Sequence, residues 1–245
     1  EDKINETAPL LKPGDIIVDG GNSNFRDSMR RGEALKKLGI HFLDCGTSGG
    51  IWGLQVGYCM MAGGDPEAFK VIEPAVKTLA PKDGYLLAGP IGAGHFTKMV
   101  HNGIEYGMMQ SYAEGFELLK SGPFKPDLHA VAHLWNQGSV VRSWLLELAE
   151  SAFEKDPGLE TLEAHVDDSG EGRWTVLEAI NAGVPMPVIS GSLFARFASR
   201  DPNGFGLRVL AALRREFGGH PVKVTDKAKA AGVSGAAVFS PTSKR

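Results

Sequence analysis

The sequence predicts an α/β region followed by an all-α region, and three observations carry that expectation. Up to residue 91, short apolar runs that stop at glycines alternate with stretches of helical periodicity, the pattern of a sheet covered by helices. Past Gly92 the strand-like runs cease, and helical patterns follow one another to about residue 217. The chain's 245 residues suffice for one large domain or two modest ones with real cores, and the change of pattern favours two. We therefore place an α/β domain at residues 1–91 and an all-helical domain at residues 92–245.

Taken in order, Gly14 ends an opening helix, and DIIVDGG (15–21) reads as a short buried strand stopping at glycines where a ligand could approach. Residues 27–38 have helical spacing, with Met29, Leu35 and Leu38 expected inward. HFLDCG (41–46) and VGYCMMAGG (56–64) are the next strands. A helix over 66–79 starts after Asp65 with Pro66 at its first position, and YLLAG (85–89) is a further strand. Helices follow at 94–120, 126–136, 138–153, 173–182, 185–198 and 204–217, the first closed by Gly122 and Pro123. The last 20 or so residues are small and polar and read as a loosely ordered tail.

Twenty-six basic residues against 29 acidic ones leave a net charge of −3, which offers nothing to nucleic acid or an anionic membrane surface. No apolar run approaches membrane-spanning length, and no signal peptide is visible. Cys45 and Cys59 lie among apolar and glycine-rich residues without metal-like spacing, so free thiols, no metal site and a reducing cytoplasm are expected.

The most informative stretch is GHFTKMVHNGIEYGMMQ, residues 94–110. Helical spacing puts Lys98, His101, Asn102 and Glu105 on one strip, so that an amine, an imidazole, an amide and a carboxylate share a face. Such a strip can be a solvated surface with weak ion pairs. Here the polar residues alternate with Met99, Val100, Ile104 and Met108 on a helix too apolar to be mostly solvated. Just upstream, Gly89, Gly92 and Gly94 leave backbone bare where the helix begins, which suits a ligand approaching unpaired N–H groups. The turn at Thr47, Ser48, Gly49 and Gly50 could bind a carboxylate through the Ser48 hydroxyl and N–H groups, although alone it reads as an ordinary tight turn.

Six stretches, VDGGNS (18–23), GTSGG (46–50), GAGHFTKMVHNGIEYG (92–107), GEGRWT (170–175), ARFASR (195–200) and RREFGGH (214–220), run in the order found in 6-phosphogluconate dehydrogenases. The chain resembles the shorter bacterial form of that family. The resemblance implies that residues 1–91 are the C-terminal part of a Rossmann-like dinucleotide-binding domain, and that the rest is a helical substrate and dimerisation domain. No strand followed by a G-x-G-x-x-G turn occurs, and the chain opens without Met, so its start reads as an internal position with the first βαβ units absent.

The family's reaction is an oxidative decarboxylation. A base takes the hydroxyl proton as hydride leaves carbon 3 for NADP or NAD, carbon dioxide departs, and an acid protonates carbon 1 of the enediol. The resemblance makes Lys98 the base, in a desolvated setting that could bring its pKa toward neutrality, and Glu105 the acid in the same desolvated strip. It makes Asn102 and His101 substrate contacts, although a lone His on such a helix can equally be structural. Asn22, by itself a turn residue, becomes a contact to both nicotinamide and substrate, and Ser48, Gly49 and Gly50 become the carboxylate turn. Arg173 stands where the family shows Lys in G-x-G-K-W-T, keeping the charge and adding a fork for phosphate. Tyr106 and Arg196 join it, and Arg214 and His220 are expected to reach the active site of a neighbouring subunit in a homodimer or homotetramer. Two other readings stay open: a β-hydroxyacid dehydrogenase acting on a small acid, and an inactive binding fragment.

Overall fold

The structure, a computed structural model, describes residues 1–201, 204–218 and 220–235. Its contacts divide the chain into a unit of residues 1–196 and a second of residues 197–245. The first unit opens with helix α1 (Asp2–Thr7) and then strand β1 (Ile16–Asp19), α2 (Phe25–Lys36), β2 (His41–Ser48), α3 (Gly53–Val56), β3 (Cys59–Gly63), α4 (Pro66–Leu79) and β4 (Tyr85–Gly89). The helical part follows as α5 (Ala93–Ser121), α6 (Leu128–Asn136), α7 (Trp144–Lys155), α8 (Glu171–Ala182) and α9 (Pro187–Ser199). The second unit carries α10 (Phe205–Gly218) and α11 (Asp226–Ala230). An α/β region followed by an all-α region is therefore the architecture of the chain.

The strands form one sheet in the order β1-β2-β3-β4. Each strand pair joined by a long helix is parallel: β1 with β2 through α2, and β3 with β4 through α4. Strands β2 and β3 are antiparallel, with Asp44 opposite Gly63 and Ser48 opposite Cys59. The ten residues between β2 and β3 are too few for a right-handed crossover, and the chain folds straight back. Leu43, Cys45, Met60 and Ala62 pack under Ala68, Phe69 and Val76 of α4, while Leu35 covers Ile40 and Phe42 on the other face. Asp65 caps α4 by accepting from the N–H groups of Glu67 and Ala68 at 2.9 and 3.0 Å, with Pro66 at the first position.

Three expectations need correction. Of the residues expected inward on α2 only Leu35 is buried; Met29 is 46% exposed and Leu38, beyond the helix end, 55%. Strand β1 is half-exposed because it lies at the sheet edge, with Val18 facing out. The helix expected from 138 begins at Trp144, because Ser143 turns its side chain onto the Leu146 N–H at 3.1 Å and caps it there. In the helical part Phe116, Ala132, Leu146 and Phe153 form the core, with the rings of Phe116 and Phe153 edge to face at 4.8 Å.

Candidate active site

Helix α5 begins against the sheet. Asp44 is fully buried in β2, and its carboxylate accepts from the N–H groups of Gly92 and His95 at 2.6 and 2.7 Å. The N–H groups that the sequence offers to a ligand at this helix start are thus taken by a carboxylate of the chain itself, which also complements the helix dipole. Gly94 serves close packing: a Cβ there would lie 2.4 Å from the Met61 carbonyl and 2.6 Å from that of Asp44. Asp44 is the group sequence reasoning missed at this point, and its signal was a lone carboxylate in an otherwise apolar strand.

The close approach sets the position of Lys98, which is 6% exposed and leans on bare Gly46 of β2. Burial lowers its pKa, opposed by the charges of Glu105, Glu171 and Cys59. Its Nζ lies 3.5 Å from His101 Nδ1, which is 3.0 Å from Asn102 Oδ1 and 3.9 Å from Glu105 Oε2. With its proton on Nδ1, His101 donates to Asn102; with it on Nε2, it accepts from Lys98. Glu105 is 39% exposed, so the desolvation expected of it is not present in this structure.

This strip lines a cavity of about 960 Å³. Lys98, His101, Asn102 and Glu105 meet Asn22 there, together with the turn Ser48, Gly49 and Gly50. The turn needs its glycines, since Gly49 has φ 136° and Gly50 φ 51°. Asn22 sits in a loop shaped by Asp19, which accepts from the Gly21 N–H at 3.0 Å and the Ser23 hydroxyl at 2.9 Å. The loop's far side is held by Phe25 against Phe96 at 5.2 Å and by Arg26 paired with Glu178 at 2.6 Å. Cys59, Thr97 and Trp144 also face the cavity and carried no site signal in the sequence.

Tyr106, Arg173 and Arg196 form a second group around residues 167–169, outside that cavity lining. The Arg196 guanidinium stacks 3.5 Å from the Tyr106 ring centroid and donates to the Asp167 carbonyl at 2.7 Å. The Tyr106 hydroxyl accepts from the Ser169 N–H at 3.3 Å and keeps its own proton to donate. Arg173 makes a two-pronged pair with Asp168, at 2.7 and 3.0 Å, which raises its pKa further. Arg214, on α10, and His220, beyond it, are both exposed and belong to the second unit. Among the described residues no helix is long and apolar enough to cross a membrane.

Two family descriptions match the chain: the NAD binding domain of 6-phosphogluconate dehydrogenase over residues 1–89, and the 6-phosphogluconate dehydrogenase C-terminal domain over residues 94–209. An NAD(+)-dependent, decarboxylating 6-phosphogluconate dehydrogenase of Haloferax volcanii is 45% identical over 225 residues, covering 91% of this chain and 74% of that protein. Among solved structures, the 6-phosphogluconate dehydrogenase of Plasmodium falciparum superposes with a TM-score of 0.75 at 28% identity. That match covers 92% of this chain and 50% of the other. The 3-hydroxyisobutyrate dehydrogenase of Salmonella typhimurium shares the fold, with a TM-score of 0.67 at 20% identity over 83% of this chain and 72% of that one.

Proposed function

The chain belongs to the 6-phosphogluconate dehydrogenase family of NAD(P)-dependent oxidoreductases, and on that footing we propose that it serves the oxidative decarboxylation of 6-phosphogluconate to ribulose 5-phosphate and carbon dioxide. The observation that carries this reading is the buried amine of Lys98 in one cavity with Asn22, the Ser48–Gly50 turn, Asn102 and Glu105.

The residues present suit the nicotinamide end of a dinucleotide. Asn22 lies just beyond the carboxyl end of β1, where open α/β sheets take ligands, and the bare glycines at 49 and 50 leave room beside it. NAD(P), when bound, accepts the hydride from carbon 3. Lys98, its neutral form favoured by burial, takes the proton of the carbon-3 hydroxyl, which Asn102 orients. Ser48 and the N–H groups of its turn hold the substrate carboxylate until it leaves as carbon dioxide. Glu105, reached by solvent and two turns along α5 from Lys98, protonates carbon 1 of the enediol.

Tyr106, Arg173 and Arg196 take the phosphate end, completed by Arg214 and His220 of a neighbouring subunit in a homodimer or homotetramer, in the cytoplasm. One observation favours a second reading. The Arg173 fork is closed on Asp168, as it would be if the substrate were a small unphosphorylated 3-hydroxy acid.

The experiment is to follow nicotinamide reduction by the full protein with 6-phosphogluconate and with 3-hydroxyisobutyrate, collecting carbon dioxide from carbon-1-labelled substrate. Labelled carbon dioxide in step with reduction supports the proposal. Turnover of the small acid alone, without carbon dioxide, replaces it by the second reading.

A further inference from the structure

Glu171 opens α8 in the stretch GEGRWT and is 2% exposed, a carboxylate set inside the protein rather than on a helix surface. Helix α8 is seated on α5 by two glycines. A Cβ on Gly103 would lie 2.7 Å from Thr175 Cγ2, and one on Gly172 would lie 2.5 Å from the Tyr106 ring. Thr175 Oγ1 fixes the crossing, 2.8 Å from the carbonyl of Met99, the residue after Lys98, and 2.8 Å from that of Glu171. Glu171 is therefore one turn from Thr175 on the side of α8 that meets α5, along the Met99–Gly103–Tyr106 face that adjoins the strip carrying Lys98. Its Oε2 accepts from the Ser169 hydroxyl at 2.5 Å, and the Ser169 N–H in turn donates to Tyr106.

A carboxylate and an ammonium so deeply placed are each costly to desolvate alone, and each reduces the cost of the other. We propose that Glu171 is a positioning residue of the active site, the fixed buried counter-charge of Lys98, delivered by α8 across its contact with α5. The proposal rests on the reading of Lys98 as base. Besides Glu171, the titratable groups that act on Lys98 are His101 and Glu105 on α5 and Cys59 on β3, while Asp44 on β2 lies two residues before the Gly46 that Lys98 leans on. Asp44 is engaged by the two N–H groups at the start of α5. Glu105 is 39% exposed and Cys59 is exposed, so solvent and salt screen both. Glu171 is screened by neither, and it raises the proton affinity that burial lowers. It thereby keeps Lys98 basic enough to hold the proton it removes from substrate.

The test is Glu171→Gln in the full protein, which keeps the shape and an acceptor for Ser169 but removes the charge. Two readouts are taken: the acid limb of kcat/KM against pH, and the pH dependence of Lys98 labelling by a small acylating reagent, quantified by peptide mass spectrometry. Both midpoints should move to lower pH by about one unit, the size expected for loss of a nearby opposite charge. Ser169→Ala, which keeps the charge, should leave both in place. If Glu171→Gln does not fold, Glu171→Met provides the same comparison. An unmoved labelling midpoint in a folded, charge-less variant overturns the proposal. Labelling does not require turnover, so it tests the Glu171–Lys98 coupling even if 6-phosphogluconate proves not to be the substrate.

Discussion

Gly46 on β2 and Lys98 on α5 touch at a point where only hydrogen fits: a Cβ on Gly46 would lie 2.3 Å from the Lys98 Cβ and 2.8 Å from its Cγ. The contact puts the Lys98 amine under control of a strand glycine just over fifty residues earlier. Gly46→Ala should overpack it, at about 1–3 kcal/mol. Because a displacement near 1 Å can cost a factor of about 100 in rate, kcat should fall far more than the urea midpoint does. A variant with full activity would show that Lys98 tolerates being moved.

The Asp44 cap is a separate determinant of the same helix. Asp44→Ala leaves the Gly92 and His95 N–H groups without their acceptor in a buried place. The expected loss is about 2–4 kcal/mol, combining a helix cap with unsatisfied buried donors. Denaturant unfolding measures it. A loss of under half a kcal/mol would mean that water or a rearranged helix start replaces the carboxylate.

Burial favours the neutral amine of Lys98, so its folded pKa lies below the ordinary lysine value. The acid limb of kcat/KM should accordingly fall below the lysine range and vanish with activity in Lys98→Arg, whose guanidinium does not give up its proton. The sign for stability follows from the same shift. The cost of burying the ammonium is fully present below the folded pKa and is released as pH rises through it toward the unfolded value. An acid limb unchanged in an active Lys98→Arg enzyme would assign the base elsewhere.

The two thiols should differ sharply. Cys59 is exposed at the cavity wall, whereas Cys45 is buried with its pKa pushed up to about 11, mainly by burial and also by Asp44. A neutral maleimide should modify Cys59 first and leave Cys45 unreacted in the native protein. Mass spectrometry of the labelled peptides decides, and substrate should slow labelling of Cys59.

At the α5–α8 crossing, Gly103→Val should drive a branched side chain into Thr175 and part the helices, costing about 1–3 kcal/mol or more. Thermal unfolding reads that cost. Activity should fall with it, because Glu171 and Tyr106 sit on this crossing, and a stable, fully active variant would show that the helix contact does not position the site.

The sequence by itself determined the order of elements, the caps at Asp65 and Pro66, and the shared face of Lys98, His101, Asn102 and Glu105. Those features are local, set by helical and strand periods and by turn chemistry within a few residues. Tertiary structure alone decided which glycines serve packing and which serve the cavity. Gly94 reads as backbone bared to a ligand at a helix start, and Gly46 as an ordinary strand residue, until the sheet is seen pressed against α5. It also decided that Asp44 caps α5, that the Arg173 fork meets Asp168, that Glu105 is reached by solvent, and that Glu171 is buried at the start of α8, where that helix packs on α5. The reason is that burial and charge environment depend on which surfaces meet across long stretches of chain, and neither periodicity nor motif spacing records those distances.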